Sequence, residues 1–253
     1  MTEAIALEDV WFRRGVVGVL SGVSLRIDRG ERVALIGPSG SGKSTVLRMM
    51  LGLLAPERGE VRVDGECTSQ RGQVLVPPER RGLAVVFQDL ALWPHLTVAQ
   101  NVAFGLDSQR VPPHIRDDRV GAMLARVGLA DKARRRPGQL SGGEQQRVAI
   151  ARALVLGPRA VLLDEPLTNL DVLLRSDLLD LLRALLTESG MTALHVTHDI
   201  GEAVALEARL VVLEGGRIVA DGTPGALAQA PPTPFLEAVF AGEVGRPVHR
   251  GTQ

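Results

Sequence analysis

One short glycine-rich stretch constrains the fold of this chain more than any other feature. The letters GPSGSGKST, residues 37–45, follow an apolar run and precede a helical pattern, and they match the spacing G-x-x-x-x-G-K-[ST]. Glycines allow successive backbone N–H groups to turn toward one anion, and the lysine adds a positive charge. The stretch therefore predicts a loop between a buried strand and a helix that binds the phosphates of a nucleoside triphosphate.

Every residue of this stretch is a candidate nucleotide contact. Lys43 is expected to reach the β- and γ-phosphates, and the hydroxyl of Ser44 is expected to hold Mg²⁺. A glycine-rich turn without a ligand is the alternative, but the strand, the loop, the lysine, the serine and the helix all agree with the motif. The candidates are Gly37, Pro38, Ser39, Gly40, Ser41, Gly42, Lys43, Ser44 and Thr45.

A second pattern supplies carboxylates for the same chemistry. The letters AVLLDEP, residues 160–166, predict a buried strand that ends at Asp164, and α/β sheets bind ligands at the carboxyl ends of their strands. Asp164 is a candidate metal ligand, directly or through water. Glu165 is the carboxylate that would orient or deprotonate the attacking water. Gln88 and His198 end two other predicted strands and are candidates to reach the same metal or water. His195, which lies three residues before His198 in the same predicted strand, is interpreted as structural.

Alternating strand and helix patterns predict an α/β fold with a mainly parallel sheet. Between residues 97 and 156 the strand pattern disappears, which predicts a helical insert. We expect residues 1–240 to form a single domain and residues 241–253 to form a short tail. The letters APPTPF, residues 230–235, suggest the end of the compact part.

Composition limits the partners and the compartment. The 29 basic and 29 acidic residues cancel, so no net field favours nucleic acid and we expect no nucleic-acid partner. A single cysteine, Cys67, excludes an internal disulfide and suits a reducing compartment. The N-terminal letters MTEAIALEDV do not resemble a signal peptide, and no apolar run reaches the roughly 20 residues of a membrane span. Membrane association is therefore expected to require a partner protein.

The letters LSGGE, residues 140–144, predict a second anion-binding element. Ser141 and Glu144 have the spacing of a capping box, so a helix should begin near Gly142. Gly142 and Gly143 leave the first N–H groups of this helix uncovered, and such a helix terminus attracts anions. The chain thus carries two phosphate-binding elements that are far apart in sequence.

In order and spacing, these motifs resemble the ATPase subunit of ATP-binding cassette (ABC) transporters. The resemblance covers about residues 5–240 and implies a RecA-like P-loop NTPase core with an antiparallel β subdomain and a helical insert. The letters VFQDLALWPHLTVAQNVAFGL, residues 86–106, are similar to importers for polyamines, ferric iron, sulfate and molybdate. The motifs that carry the resemblance to the ABC family are the Walker A stretch 37–45, Gln88, LSGGE, the Walker B stretch 161–165, the letters NLD at 169–171, and His198.

The resemblance implies a head-to-tail dimer of two copies, or of one copy and a similar cassette. The LSGGE stretch of one copy would complete the ATP site of the other, which explains the two separate anion-binding elements. Ser141, Gly142 and Gly143 would contact the γ-phosphate, which ADP lacks, so ATP would favour the closed dimer. Asp171 would lie on the seam between the copies.

The resemblance also implies integral membrane permease subunits as partners. Gln88 would couple the ATP site to a permease whose short helix docks near residues 89–104. Leu92, Trp93 and Leu96 are candidate apolar contacts for that helix, or residues that pack the insert onto the core. An importer of this type also implies a periplasmic or extracellular solute-binding protein. The ATPase itself would then lie peripherally on the cytoplasmic face of the plasma membrane.

Two features depart from the family pattern. Arg14, in the letters VWFRRG, stands where the family places an aromatic residue that stacks on adenine. A planar guanidinium can also stack on a purine, and Trp11 or Phe12 is the alternative. The chain ends soon after Phe240, so we expect no C-terminal regulatory β-domain of the kind that many importers carry.

Several other functions are alternatives to an ATPase that drives solute import. An exporter ATPase has the same motifs. A DNA-repair ABC ATPase would carry a long coiled-coil insert, and a ribosome-associated one would carry two cassettes. The LSGGE stretch argues against a P-loop kinase, and the absence of an Asn-Lys-x-Asp motif argues against a GTPase.

Overall fold

The structure, a computed structural model, describes residues 2–168 and 170–244. These residues form two compact units. Unit 1 contains the described residues up to Pro77 and from Leu194 onward, and unit 2 contains residues 78–193. The predicted helical insert, residues 97–156, lies within unit 2.

The part of unit 1 that precedes residue 78 is mainly β-structure. Its elements are β1 (Glu3–Arg14), β2 (Val17–Asp28), β3 (Arg32–Ile36), α1 (Lys43–Leu51), β4 (Arg58–Val63), β5 (Glu66–Gln70) and β6 (Gln73–Val74). Five of these strands form an antiparallel sheet in the order β2-β1-β4-β5-β6. Asp64 and Gly65 have φ angles of 51° and 78°, which suit a two-residue hairpin turn between β4 and β5. This sheet confirms the antiparallel β subdomain.

Unit 2 combines a pair of parallel strands with long helices. Its elements are β7 (Leu83–Val86), α2 (Val98–Ser108), α3 (Pro113–Arg126), α4 (Gly142–Leu154), β8 (Ala160–Asp164) and α5 (Val172–Ser189). Strands β7 and β8 pair in parallel. Helix α5 has no counterpart among the sequence predictions, although Leu178, Leu182 and Leu185 lie on one helical face and are buried. The three helices α2, α3 and α4 account for the stretch in which the strand pattern disappears.

The chain returns to unit 1 within a strand at Leu194. The remaining elements are β9 (Thr192–Val196), α6 (Ile200–Ala205), β10 (Arg209–Glu214), β11 (Arg217–Gly222), α7 (Pro224–Gln229) and α8 (Pro234–Val244). In this part of the molecule the strands lie in the order β11-β10-β3-β9, with β10 and β3 parallel and β10 and β11 antiparallel. Residues 33–36 of β3 and 210–213 of β10 are almost fully buried, so this sheet is the centre of the unit 1 core. The α/β class is confirmed.

One predicted strand end is different in the structure. Strand β7 ends at Val86, so Gln88 does not close the strand but lies exposed in the turn after it. The N–H of Leu90 donates to the carbonyl of Phe87 at 3.0 Å, which shows that the chain has already turned there. Helix α1 ends at Leu51 because Gly52 adopts a left-handed φ of 81° and caps it.

The compact part does not end at residues 230–235, as their letters suggested. These residues only precede α8, and Leu236 in α8 is fully buried. Because α8 runs to Val244, residues 241–244 are helical. The rest of the predicted tail, residues 245–253, lies outside the described residues. Among the helices that the structure describes, none has the length and apolar character needed to cross a membrane.

Candidate functional site

The predicted phosphate-binding stretch is the connection from β3 to α1 in unit 1. A Cβ atom at Gly37 would lie 2.0 Å from the carbonyl oxygen of Leu213, and one at Gly42 would lie 2.7 Å from Cδ2 of Leu20. Neither position has room for a side chain, and Gly42 also has a φ of 110°. The two glycines therefore let the loop lie directly against β10 and β2.

The Lys43 side chain folds back over this loop. Its Nζ donates hydrogen bonds to the carbonyl oxygens of Gly37 at 2.8 Å and Pro38 at 3.1 Å, and the residue is only 8% exposed. Pro38, Ser39 and Gly40 form the exposed rim of the loop. A nearly buried ammonium group next to a glycine-rich backbone suits an anionic ligand.

The start of α1 offers further donors to such a ligand. No side chain caps α1 at Gly42, whereas Ser141 caps α4. The Ser41 hydroxyl is buried and has no hydrogen-bond partner among the residues that the structure describes, Ser44 is exposed in the first turn, and Thr45 is buried below it. An uncapped helix N-terminus with an unsatisfied hydroxyl beside it fits phosphate oxygens.

The end of β1 contains Trp11, one of the candidate base contacts. The indole Nε1 of Trp11 donates to Oδ1 of Asp9 at 2.8 Å, and the Arg58 guanidinium lies 5.8 Å from the ring centroid. Arg13 forms an ion pair with Glu57 at 3.0 Å. Trp11 and Arg13 therefore share the face that is turned toward the start of β4.

The β1–β2 register shifts between Phe12 and Arg13, where a bulge or irregularity interrupts the strict alternation of side chains. Phe12 pairs with Leu20 in the β1–β2 register, and Leu20 is the residue that contacts the Gly42 position of the phosphate loop. Arg14 is exposed. Phe12 is therefore paired with a residue that borders the phosphate loop, and Arg14, Phe12 and Trp11 all stay candidate base contacts.

His198 follows β9 and is exposed, while the residues beneath it form a buried polar network. Oε2 of Glu202 accepts a hydrogen bond from Thr197 Oγ1 at 2.6 Å and lies 2.7 Å from His195 Nε2. Thr197 Oγ1 in turn accepts from the N–H of Asp199 at 3.1 Å. His195 therefore has a structural position, and the network fixes both chain neighbours of His198.

In unit 2, the LSGGE stretch begins α4 as its capping box predicts. Ser141 Oγ accepts from the N–H of Glu144 at 3.3 Å, and Glu144 Oε2 accepts from the N–H of Ser141 at 3.0 Å. Lys132 also pairs with the Glu144 carboxylate. These hydrogen bonds, first that of Lys132 and then that of the Ser141 backbone, hold the pKa of Glu144 below its usual range.

The two glycines of this stretch have different surroundings. Gly142 is exposed, with open space where a Cβ would point, whereas Gly143 is buried. A Cβ at Gly143 would lie 2.4 Å from Cδ1 of Leu174 in α5. The N–H of Leu174 donates to Oδ1 of Asp171, which caps α5 and is exposed. Ser141 and Asp171 thus begin two helices that touch through Gly143 and Leu174.

Strand β8 presents the two predicted carboxylates. Residues 160–163 are fully buried, and Asp164 and Glu165 are half-buried at the strand end. Glu165 has a φ of 46°, a left-handed conformation that costs a non-glycine residue about 1–2 kcal/mol. Thr168 Oγ1 donates to Glu165 Oε2 at 3.4 Å. Strain of this kind is typical of functional positions. Asn169, the first residue of the NLD letters, lies outside the described residues.

The residues proposed to hold Mg²⁺ have suitable chemistry. Ser44, Asp164 and Gln88 contribute a hydroxyl, a carboxylate and an amide oxygen, and Mg²⁺ prefers oxygen ligands. Within residues 2–168 and 170–244, no group of three or more His, Cys, Asp or Glu side chains is arranged to hold a metal. Mg²⁺ in nucleotide sites commonly uses one or two protein ligands together with substrate phosphates.

A groove of about 1030 Å³ in unit 1 is separate from these residues. It is lined mainly by apolar side chains of α6, α7 and α8, among them Val204, Pro224 and Phe240. None of the predicted site residues lines it, so its size does not make it the candidate site.

Comparisons with known proteins agree with the motifs. The family model described as ABC transporter matches residues 20–168. The spermidine/putrescine import ATP-binding protein PotA of Acidothermus cellulolyticus is 44% identical over 239 residues, which are 93% of this chain and 61% of that protein. The sn-glycerol-3-phosphate import ATP-binding protein UgpC 1 of Rhizobium etli is 43% identical over 244 residues, 96% of this chain and 68% of that protein. This chain thus spans only about three-fifths to two-thirds of these relatives.

A solved structure is also similar over most of the chain. The ATP-binding cassette MJ0796, a dimer in a post-hydrolysis state bound to ADP and Pi, shares 35% sequence identity with a TM-score of 0.75. The match covers 87% of this chain and 98% of that one. The similarity therefore extends across the strand and helix framework that carries the motifs.

Proposed function

The chain belongs to the ABC transporter family, and we propose that it binds and hydrolyses ATP to power solute import through a separate membrane permease. The observation that carries this proposal is the loop between β3 and α1. Lys43 lies over a glycine-lined loop at an uncapped helix terminus, bound to the carbonyls of Gly37 and Pro38. Such a loop suits the β- and γ-phosphates of a nucleotide.

For the chemical step, we assign Glu165 to the attacking water. A carboxylate there can orient the water or accept its proton. Ser44, Asp164 and Gln88 would hold Mg²⁺, which when bound neutralises charge on the phosphate oxygens. His198 would act as a further polar contact, in an orientation set by the buried network of Thr197 and its partners.

Two copies are proposed to act together. In this arrangement Ser141, Gly142 and the backbone of Gly143 would contact the ATP bound by the other copy, with Asp171 on the seam. Support comes from the exposure of Ser141 and Asp171 and from the dimeric form of the MJ0796 cassette. Val172 and Leu173, next to Asp171, are 76% and 79% exposed, and apolar side chains in such positions are typical of interfaces. ATP would favour the closed dimer because ADP lacks the γ-phosphate.

The relatives named above support import as the direction of transport. Both are import ATP-binding proteins by name, for a polyamine and for glycerol 3-phosphate. We therefore propose permease subunits and a solute-binding protein as partners, and a peripheral position on the cytoplasmic face of the membrane. Since the two relatives are named for different solutes, the proposal extends to a small solute and no further.

Replacing Glu165 by glutamine tests the proposal. The amide keeps the shape of the side chain but cannot accept a proton, so turnover should fall at least about 100-fold while ATP still binds. Size-exclusion chromatography with ATP and Mg²⁺ should then show a stable dimer. Glu188→Gln is the control, because Glu188 is an exposed glutamate of the same unit that pairs with Arg126. Full turnover of a monomeric Glu165→Gln protein would refute the assignment.

A further inference from the structure

The loop that follows Gln88 has an unusual backbone. Leu90 and Ala91 are consecutive non-glycine residues with φ angles of 58° and 44°. Side chains disfavour this left-handed conformation, and two such residues in succession persist only where surrounding contacts determine them. The contacts of this loop therefore indicate which part of unit 2 fixes its position.

One of these contacts is the guanidinium of Arg152. Its Nη1 donates to the carbonyl oxygen of Ala91 at 2.5 Å, and its Nη2 donates to that of Leu90 at 2.6 Å. The planar fork of the guanidinium thus binds the carbonyls of both left-handed residues at once. A lysine ammonium has no such rigid fork, so Arg152 cannot be replaced by Lys without loss of this geometry.

The same guanidinium also contacts an aromatic pair. It lies 4.9 Å from the ring centroid of Trp93, and Trp93 stacks on Phe104 of α2 with ring centroids 4.0 Å apart. Asn101 of α2 binds the backbone of Trp93 on both sides, at 2.9 and 3.1 Å. Burial lowers the pKa of Arg152, which agrees with a charge that is bound by the loop instead of by water.

Arg152 lies in the last turn of α4, and Ser141 caps the first turn of the same helix. A helix of 13 residues is about 20 Å long, and rigid secondary elements of this kind can carry coupling between their ends. Helix α4 therefore connects two predicted site elements, with the loop after Gln88 at one end and the LSGGE stretch at the other. Both elements lie in unit 2.

We propose that Arg152 is a positioning residue that joins the loop after Gln88 to the helix that begins at Ser141. A displacement of the loop then also displaces the LSGGE stretch, and a displacement of the LSGGE stretch also displaces the loop. This inference rests on the proposed ATPase function, and it adds a residue that the sequence motifs did not single out.

The test compares Arg152→Lys with Arg147→Lys in the full chain. Arg147 is an arginine of the same helix whose Nη1 donates to the Val127 carbonyl at 3.2 Å, and it is the matched control. Arg152→Met, which keeps an apolar stem, is the second variant. Circular dichroism establishes that each variant is folded.

Two readouts separate positioning from simple stability. Amide hydrogen exchange of residues 89–96 should accelerate about tenfold or more in the Arg152 variants and stay unchanged in Arg147→Lys. In steady-state kinetics, kcat should fall about tenfold while KM for ATP stays within about twofold, because the interaction acts on the catalytic arrangement and the phosphate loop is intact.

Unchanged exchange at residues 89–96, or unchanged kcat in both Arg152 variants, would overturn the proposal. An equal loss of kcat in Arg147→Lys would also overturn it, because the effect would then belong to α4 in general. If the unaltered chain does not hydrolyse ATP, the proposed function itself fails and the positioning role fails with it. Hydrogen exchange of residues 89–96, compared between that chain and its Arg152 variants, would then test only the contact between Arg152 and the loop.

Discussion

The two glycines of the LSGGE stretch should respond in opposite ways to replacement by alanine. At Gly143 the new Cβ would lie 2.4 Å from Cδ1 and 2.7 Å from Cδ2 of Leu174, which is far below contact distance. At Gly142 the new Cβ meets nothing within 4 Å. The adjacent positions therefore form a matched pair in the same helical turn.

The magnitudes follow from these surroundings. Overpacking costs about 1–3 kcal/mol, and we expect Gly143→Ala to destabilise the chain by about 1 kcal/mol, the low end of that range, because the half-buried Leu174 side chain can move partly aside. Alanine is a better helix former than glycine by up to about 1 kcal/mol, so Gly142→Ala should be neutral or slightly stabilising. In the proposed dimer the nucleotide of the other copy lies against Gly142, so the added methyl group should nevertheless reduce ATPase activity.

Urea unfolding of four proteins measures the packing effect. These are the unaltered chain, Gly143→Ala, Leu174→Ala and the double variant. Because Leu174→Ala removes the atoms that the new Cβ would meet, Gly143→Ala should cost less than about 0.5 kcal/mol in that background, a coupling typical of residues in contact. If Gly143→Ala costs the same with and without Leu174, the packing explanation is refuted.

Three further predictions concern the rest of the site. Arg14→Ala should weaken ATP binding about two- to fivefold, the loss of one exposed cation–π contact, and Arg14→Tyr should restore it, as measured by fluorescence titration. The pKa of Glu144 is lowered, so its charged form stabilises the fold at pH values above the ordinary glutamate pKa of about 4.3, and this stabilisation is lost as the pH falls through the lowered pKa. Glu144→Gln should therefore lower Tm at neutral pH, and the difference in Tm between the variant and the unaltered chain should shrink at about pH 3. Glu202→Ala removes the buried carboxylate that the Thr197 hydroxyl and the His195 ring both contact and should cost about 3 kcal/mol, whereas Glu207→Ala, at an exposed glutamate 3.6 Å from Arg32, should change the unfolding free energy by less than about 0.5 kcal/mol.

Local patterns predict the parts of the site that local forces determine. The turn before α1 depends on glycines that lie within the motif, and the start of α4 depends on a capping box between Ser141 and Glu144. Both features depend on residue types within one short motif, the glycines of residues 37–42 and the pair Ser141 and Glu144, so the sequence is sufficient to predict them. The same holds for the hairpin at Asp64 and Gly65.

Distant contacts determine the parts that the sequence did not predict. The turn that exposes Gln88 is bound by Arg152, which is 61 or 62 residues away from its acceptors. The burial of Gly143 depends on Leu174, in a helix that no sequence pattern had identified. The pattern of apolar residues within either segment cannot predict such a partner, because the partner lies in another element of the fold.

The central claim is that one copy of the chain binds ATP with Lys43 and a second copy completes the site with Ser141. The direct measurement is ATPase activity in an equimolar mixture of Lys43→Ala and Ser141→Arg proteins, each inactive alone. Half of the dimers are then mixed, and each mixed dimer contains one intact composite site, so independent sites would give about a quarter of the unaltered activity. Activity clearly above both parents supports the account. A mixture as inactive as its parents would contradict the claim that two copies build each ATP site together and that each site works independently of the other.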